Sequence, residues 1–272
     1  VSAVSVGHTL ADCPLPPAEA RALLAVASGV PRETLIAFPE REVSAAALAQ
    51  FAALAARRRA GEPLAYLLGT QEFYGRGFAV TRDVLIPRPE TELLIDLALP
   101  LLRGARAPRV LDLGTGSGCI AVTLALEASA AEVTAVDASA AALAVARANA
   151  DRLGARVAFV RSDWFDTVTG SFDLIVSNPP YIAAGDPHLG ALRFEPTAAL
   201  TAGADGLACL RRIAQAAPAF LARQGTLMVE HGYDQGEAVR RLFAESGFAD
   251  IHAHRDSAGH ERVCVGRLPG AG

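Results

Sequence analysis

From about residue 109 onward, short apolar runs alternate with longer segments whose apolar residues recur at helical spacing. Strands are predicted over Arg109 to Leu113, Glu132 to Asp137, Arg156 to Arg161, Phe172 to Ser177 and Gly225 to His231, and helices over Gly116 to Glu127, Ser139 to Leu153, Asp205 to Ala222 and Gln235 to Ser246. This alternation is the signature of a parallel sheet covered on both faces, with ligands at the C-terminal ends of the strands. Two further strand-like runs, Ala249 to His254 and Arg262 to Arg267, flank the turn-rich SAGHE and are expected to close the edge as an antiparallel pair.

The chain before residue 109 has a different texture. Pro16 and Pro17 open an Ala/Leu-rich run that Gly29 can stop, and Ser44 can cap a longer one in which Leu48, Phe51 and Leu54 recur at near-helical spacing. The stretch before Pro16 is short and has no clear first helix. Arg57, Arg58 and Arg59 fall at the end of the longer helix, where a solvated face favoured by the helix dipole accounts for them better than a nucleic-acid patch. From Glu72 to Arg82, aromatic and β-branched residues surround Gly75 and Gly77 and predict a hairpin. The expected division is a helical domain over residues 1–70, a hairpin linker over 71–85 and an α/β domain over 86–272.

Composition narrows the chemistry. All 25 basic residues are Arg, so Schiff-base catalysis, a lysine general base and a Walker-type phosphate loop are excluded. The net charge of −4 supplies no global field for a phosphate backbone, which tells against nucleic acid. The four cysteines are widely spaced, fit neither a disulfide framework nor a zinc site, and are read as reduced and mostly buried. His252 and His254 alternate on a strand but lack a third ligand, and no metal is expected. No apolar run reaches the roughly 18 residues of a membrane span, and the N-terminus lacks a signal-type pattern, so the cytoplasm is the expected compartment.

Two motifs carry chemistry. In VLDLGTGSGCIAV a strand runs into Gly114, Thr115, Gly116, Ser117 and Gly118 before a helix, where glycines let the backbone approach a ligand and the helix start offers free N–H groups. Gly116, Gly118 and Ala121 nearly satisfy the dinucleotide pattern as well, so spacing alone is weak. Asp137 ends the next strand, where a carboxylate can accept both hydroxyls of an adenosine ribose; the plainer alternative is a cap for the following helix. With Asp112 ahead of the glycines, the form points to S-adenosylmethionine rather than a nicotinamide cofactor. The second motif, DLIVSNPPYI, puts Asn178, Pro179, Pro180 and Tyr181 directly after the fourth strand. The prolines forbid continuation of the strand and stiffen the turn, so the Asn178 amide projects at the open end of the sheet. An amide or aromatic-amine nitrogen is a poor nucleophile because its lone pair is delocalised. If the Asn178 oxygen and the Pro179 carbonyl accept its two hydrogens, its face is fixed toward a methyl donor while Tyr181 packs on the planar group.

The motif set resembles that of the HemK/PrmC family of release-factor glutamine methyltransferases over nearly the whole chain. Beside NPPY and GTGSG it includes GEPLAYLLG, QEFYG, LIPRPETE (Leu85 to Glu92), SDWFD (Ser162 to Asp166), RFEP (Arg193 to Pro196) and EHG (Glu230 to Gly232). The resemblance implies a Rossmann-like class I S-adenosylmethionine methyltransferase sheet, parallel with an antiparallel edge strand, plus a small helical N-terminal domain that helps to hold the protein partner. It implies that Gly114 to Gly118, Asp137 and Trp164 bind S-adenosylmethionine with Trp164 near the adenine, that Asn178 is shared between cofactor and substrate, and that NPPY clamps the substrate. That substrate is the glutamine of the Gly-Gly-Gln motif in class 1 release factors, methylated at its side-chain amide nitrogen (N5) by a monomeric enzyme. By composition alone Trp164 would be a core residue. The chain departs from the family in its short start and in a slightly shorter loop around RFEP. NPPY by itself also fits a nucleic-acid base methyltransferase acting on an exocyclic amine. A nicotinamide dehydrogenase, which has no use for NPPY, and a silent release-factor-binding module, which has no need of intact glycines, are the weaker readings.

Overall fold

The computed structural model describes residues 4–270. The chain divides into two compact units, the first ending at Thr70 and the second starting at Gln71. The first contains β1 (Val4–Ser5), α1 (Val6–Ala11), α2 (Pro17–Ser28), α3 (Arg32–Ala37), β2 (Glu42–Val43), α4 (Ala45–Arg59) and α5 (Leu64–Leu68). Gly29 stops α2 in the left-handed conformation, and the Ser44 side chain caps α4 at the Ala47 N–H. Helix α1 corrects the expectation that no helix precedes Pro16. Ser5 caps it at the His8 N–H and it buries only Val6 and Thr9, so its six residues are too short to leave a periodic signature. Leu23, Leu24, Leu35, Phe51 and Leu54 form the core of this unit.

The arginines at the end of α4 lie on the solvated face that was expected, Arg57 and Arg59 exposed and Arg58 half-buried, and two of them also carry ion pairs. Arg57 makes two hydrogen bonds to the Glu62 carboxylate, at 2.7 and 2.8 Å, and Arg58 makes two to Glu19, at 2.7 and 2.9 Å. Such fork geometry satisfies both groups locally.

The hairpin of β3 (Thr70–Phe73) and β4 (Arg76–Ala79) starts at the last residue of the first unit and otherwise belongs to the second, and is followed by a 3₁₀ turn at Pro89–Thr91 and α6 (Glu92–Leu102). Then come β5 (Arg109–Leu113), α7 (Cys119–Glu127), β6 (Glu132–Asp137), α8 (Ala140–Leu153), β7 (Val157–Arg161), β8 (Phe172–Ser177), α9 (Ala208–Ala216), β9 (Leu221–Glu230), α10 (Gly236–Glu245), β10 (Ala249–Arg255) and β11 (Glu261–Arg267). Strands β5 to β11 form one sheet of order β10-β11-β9-β8-β5-β6-β7, parallel except that β11 runs antiparallel to both β9 and β10. Val110 faces one core, with Leu94, Ile95 and Ile120, while Leu111 and Leu113 face another with Ile213, Val239 and Phe243. Alternation along each strand thus fills two layers.

Three boundaries move for local reasons. Helix α7 begins at Cys119 rather than Gly116 because Gly114, Gly116 and Gly118 all have positive φ. Helix α9 gives way to a 3₁₀ turn at Ala217–Ala219, since Pro218 has no N–H to donate. Strand β9 starts earlier than expected because its register against β8 shifts between Phe172 and Leu174.

One buried side chain ties the hairpin to the glycine-rich loop. Asn149 of α8 is fully buried; its Nδ2 donates to the Ala79 and Ser117 carbonyls, at 3.0 and 2.9 Å, and its Oδ1 accepts from the Ala79 N–H at 2.7 Å. Asn149→Leu keeps the volume but leaves those three backbone groups unpaired, each at about 1 to 3 kcal/mol. The variant is expected to lose about 3 kcal/mol or more in urea denaturation, with unchanged far-ultraviolet circular dichroism at low denaturant.

Candidate active site

Strand register assembles the site. Leu113 pairs with Val136 on one side and Ser177 on the other, and Ser177 pairs with Val229. The residues that follow these pairs therefore stand at one level, Asp137 and Glu230 as the last residues of β6 and β9, and Gly114 and Asn178 just beyond the ends of β5 and β8. The chain order reverses between β5 and β8, where the following loops part and open a crevice. A cavity of about 390 Å³ lies there.

Gly114, Thr115, Gly116, Ser117, Asp137, Trp164, Asn178 and Pro180 all line this cavity, whereas Gly118, Pro179 and Tyr181 do not. A Cβ on Gly116 would stand in open space, but one on Gly118 would lie 3.0 Å from the Ala146 Cβ. Gly118 thus serves the close packing of α7 on α8. Gly114 and Thr115 both donate backbone hydrogen bonds to the Val136 carbonyl at 2.9 Å, which holds the loop against the end of β6. The Asp137 carboxylate accepts from the Gly116 N–H and the Ser139 N–H, each at 2.9 Å, while the side-chain cap of α8 at the Ala142 N–H is Ser139 itself. Trp164 adopts φ of 52°, a left-handed conformation costly for a bulky residue. Its ring lies 3.5 Å from where a Gly114 side chain would begin, an ordinary contact distance, and it is the Gly114 φ of 72° that favours glycine there.

LIPRPETE and RFEP, whose contacts are not readable from sequence, meet through a carboxylate. Glu195 is buried; it accepts the Ile86 N–H at 3.1 Å and pairs with Arg88. Pro87, Arg88 and Pro196 thereby come to line one wall of the cavity. Beside them the Phe194 ring takes the guanidinium groups of Arg82 and Arg193 at 5.8 and 4.8 Å.

Beneath Asn178 a short polar chain runs into the protein. The Asn178 Nδ2 donates to the Thr91 hydroxyl at 3.0 Å, Thr91 donates to Glu230 Oε2 at 2.7 Å, and the Tyr181 hydroxyl donates a longer bond to Glu230 Oε1 at 3.3 Å. Glu230 is 1% exposed, and burial raises its carboxyl to about 7. Burial, followed by the Glu230 charge, raises the Tyr181 phenol beyond its usual range, so Tyr181 is a neutral donor. The Tyr181 carbonyl accepts from Gln235 Nε2 at 2.9 Å, which fixes the end of the NPPY turn. Thr91 and Glu230 were within reach of the sequence, because LIPRPETE and EHG contain them, but periodicity cannot say which of those side chains face one another. His231 is a structural residue: buried, with its pKa lowered by burial, and bonded through Nδ1 to the Gly232 carbonyl at 2.8 Å. All four cysteines are unpaired; Cys119 and Cys264 are buried, Cys13 and Cys209 only partly. Among the described residues no helix is long and apolar enough to cross a membrane.

The sheet order, the glycine loop and the carboxylate one strand further on define a Rossmann-like, S-adenosylmethionine-dependent methyltransferase. The fold is shared with a Pyrococcus furiosus methyltransferase, with TM-score 0.55 and 18% identity over 79% of this chain and 98% of that one. It is also shared with the Thermus thermophilus 16S rRNA N2 G1207 methyltransferase, with TM-score 0.54 and 20% identity over 73% of this chain and 49% of that one. Residues 91–193 match the methyltransferase small domain and residues 6–69 the PrmC N-terminal domain. The release factor glutamine methyltransferase of Bordetella pertussis is 55% identical over 95% of this chain and 97% of its own length, and that of Burkholderia pseudomallei 50% identical over 99% and 98%. The chain belongs to the release factor glutamine methyltransferase family.

Asp112, at the foot of the glycine loop, is fully buried. Its Oδ2 accepts from the Thr115 hydroxyl at 2.6 Å, and its Oδ1 has no partner in the protein. Burial raises its carboxyl to about 7 against the opposing pull of Thr115 and the Ala121 backbone. In the unfolded chain it ionises near 4. Between those values the folded state holds a proton that the unfolded chain has released, so stability falls as pH rises from about 4 to 7. Asp112→Asn removes this contribution. Whatever its stability at pH 5, the difference from wild type should shift in the variant's favour by on the order of 3 kcal/mol by pH 8, as read from denaturant midpoints.

Proposed function

We propose that this chain transfers a methyl group from S-adenosylmethionine to the side-chain amide nitrogen of the glutamine in the Gly-Gly-Gln motif of class 1 release factors. The observation that carries this reading is the Asn178 amide. It stands at the cavity across the switch point from the glycine loop, with its nitrogen committed to Thr91 and, among the described residues, no hydrogen bond to its oxygen. Such an oxygen accepts a hydrogen from a substrate amide.

The residues fit the cofactor. Gly114, Thr115, Gly116 and Ser117 line the cavity, with glycines where the backbone can approach a ligand, while Gly118 behind them packs α7 on α8. Asp137 retains lone pairs for ribose hydroxyls beside its two backbone donors. The Trp164 face offers a stacking surface for an adenine. When bound, S-adenosylmethionine supplies an electrophilic methyl on a sulfonium. What the chain itself does is orient. At the cavity Asn178 Oδ1 accepts one hydrogen of the glutamine amide and Pro180 bounds its planar group; the Pro179 carbonyl and Tyr181 lie outside the cavity lining and serve the second hydrogen and the other face only for a glutamine that reaches along the NPPY turn, and the acceptors balance positive charge developing on nitrogen. The helical unit up to residue 70 carries none of these groups and is assigned to recognition of the release factor. The acidic net charge of −4 favours a protein over a nucleic-acid substrate.

Incubation with tritiated S-adenosylmethionine and either a release factor or bulk nucleic acid tests the assignment, with label expected in the release factor alone. Asp137→Ala should weaken cofactor binding roughly tenfold or more by calorimetry, as loss of a charged acceptor costs about 1.5 to 3 kcal/mol. In single-turnover assays at saturating cofactor, Asn178→Ala is expected to lose about a hundred- to a thousandfold in rate. Tyr181→Ala should also be impaired, and Tyr181→Phe less so. Full activity of folded Asn178→Ala would remove the amide clamp from the reaction.

A further inference from the structure

An asparagine can present either its oxygen or its NH₂ to a ligand, and the two are nearly the same shape. A site that must accept hydrogens from a substrate amide needs the oxygen there every time. The polar chain below Asn178 contains a device for this. Thr91 has one hydroxyl hydrogen, and it is given to Glu230 Oε2 at 2.7 Å. The Thr91 oxygen can then only accept, so its other neighbour must be a donor, and Asn178 meets it with Nδ2 at 3.0 Å. That leaves Oδ1 for the cavity. The direction of the whole relay follows from its last member, because an ionised carboxylate accepts and never donates. Tyr181, which donates to the other Glu230 oxygen, is oriented by the same group.

We propose that Glu230, acting through Thr91, is a positioning residue that fixes the polarity of the Asn178 amide and so keeps its oxygen turned toward the substrate nitrogen. The inference rests on the amide-methyltransferase reading of the site and deepens it. Glu230 does not line the cavity, whereas Thr91 and Asn178 do. The charged and titratable groups facing Glu230 are Arg262 of β11, Glu90 of the 3₁₀ turn, Tyr181 after β8 and Cys119 at the start of α7. A protonated Glu230 could donate to Thr91, whose hydrogen would then point at Asn178 and favour the opposite amide rotamer. Burial brings that protonation to about pH 7, so the relay holds its direction on the alkaline side and loses it as pH falls.

Glu230→Gln, Thr91→Val and Thr91→Ser test the relay in the full-length enzyme. Gln can turn either an NH₂ or an oxygen toward Thr91, and Val ends the relay, while Ser restores the hydroxyl. At saturating S-adenosylmethionine, Glu230→Gln and Thr91→Val should lower kcat for release-factor methylation about tenfold or more, with KM for the release factor little changed. Thr91→Ser should recover most of what Thr91→Val loses. The fall in kcat below about pH 7 in the wild type should flatten in Glu230→Gln. In parallel, the side-chain NH₂ resonances of Asn178, identified by their loss in Asn178→Asp, should shift in Glu230→Gln and Thr91→Val and return toward wild type in Thr91→Ser. Wild-type kcat with unmoved Asn178 resonances in either lesioned variant overturns the proposal, as does a Thr91→Val defect that Thr91→Ser fails to mend. If the wild type methylates no release factor, the functional reading fails, and the Asn178 resonances still decide whether the relay sets the amide.

Discussion

Every element of the site depends on the level at which four parallel strands end. Because β5, β6, β8 and β9 pair through Leu113, Val136, Ser177 and Val229, the residues Gly114, Asp137, Asn178 and Glu230 stand at one level, at or just beyond the strand ends. A slip of one residue in any pair would turn the departing side chain to the opposite face. The hydrogen bonds at this level reinforce the register. The Ser177 hydroxyl donates to the Leu113 carbonyl at 2.8 Å, and the Ser162 N–H to the Asp137 carbonyl at 3.1 Å. The strands are thus tied at the end where their loops diverge, and the crevice keeps its shape although its walls are loops.

That geometry brings acidic groups into places where water cannot reach them. Asp112 and Glu230 are both buried, and burial raises both carboxyls to about 7. Neither is paired with a close arginine, so each is held by hydroxyls: Thr115 for Asp112, Thr91 and Tyr181 for Glu230. Glu195 is also buried but differs, because Arg88 and the Ile86 N–H neutralise it directly. The contrast separates two uses of a buried carboxylate. The one with an arginine fastens two segments, and those with hydroxyls impose a direction on the hydrogens around them.

Much of this was legible in the sequence, and the reason differs by element. Strand and helix alternation after residue 109 is a pattern of local periodicity, and the glycine loop, Asp137 and NPPY follow strands whose ends can be read directly. The antiparallel partner of β9 was visible as two β-branched runs around a turn. Helix α1 was not visible, since six residues held by one serine cap carry no period. The ion-pair partners of Arg57 and Arg58 were not legible, because Glu62 lies beyond the helix end and Glu19 on another helix, and neither spacing is helical. The Thr91 and Glu230 pairing spans 139 residues, and nothing in the spacing of the two motifs encodes it.

The placement of Glu230 one residue removed from the cavity has a chemical reason. A methyl donor of the sulfonium type reacts with any well-placed nucleophile, and an ionised carboxylate is a better one than a delocalised amide nitrogen. If such a group stood where Asn178 stands, it would attract the substrate hydrogens strongly and would also compete for the methyl. The neutral amide oxygen accepts the same hydrogens without that hazard, but a neutral amide has two equivalent orientations. A carboxylate behind a threonine resolves the conflict. Its charge selects one orientation of Asn178, while the Thr91 hydroxyl and the rigid NPPY turn keep its oxygens away from the reacting centre.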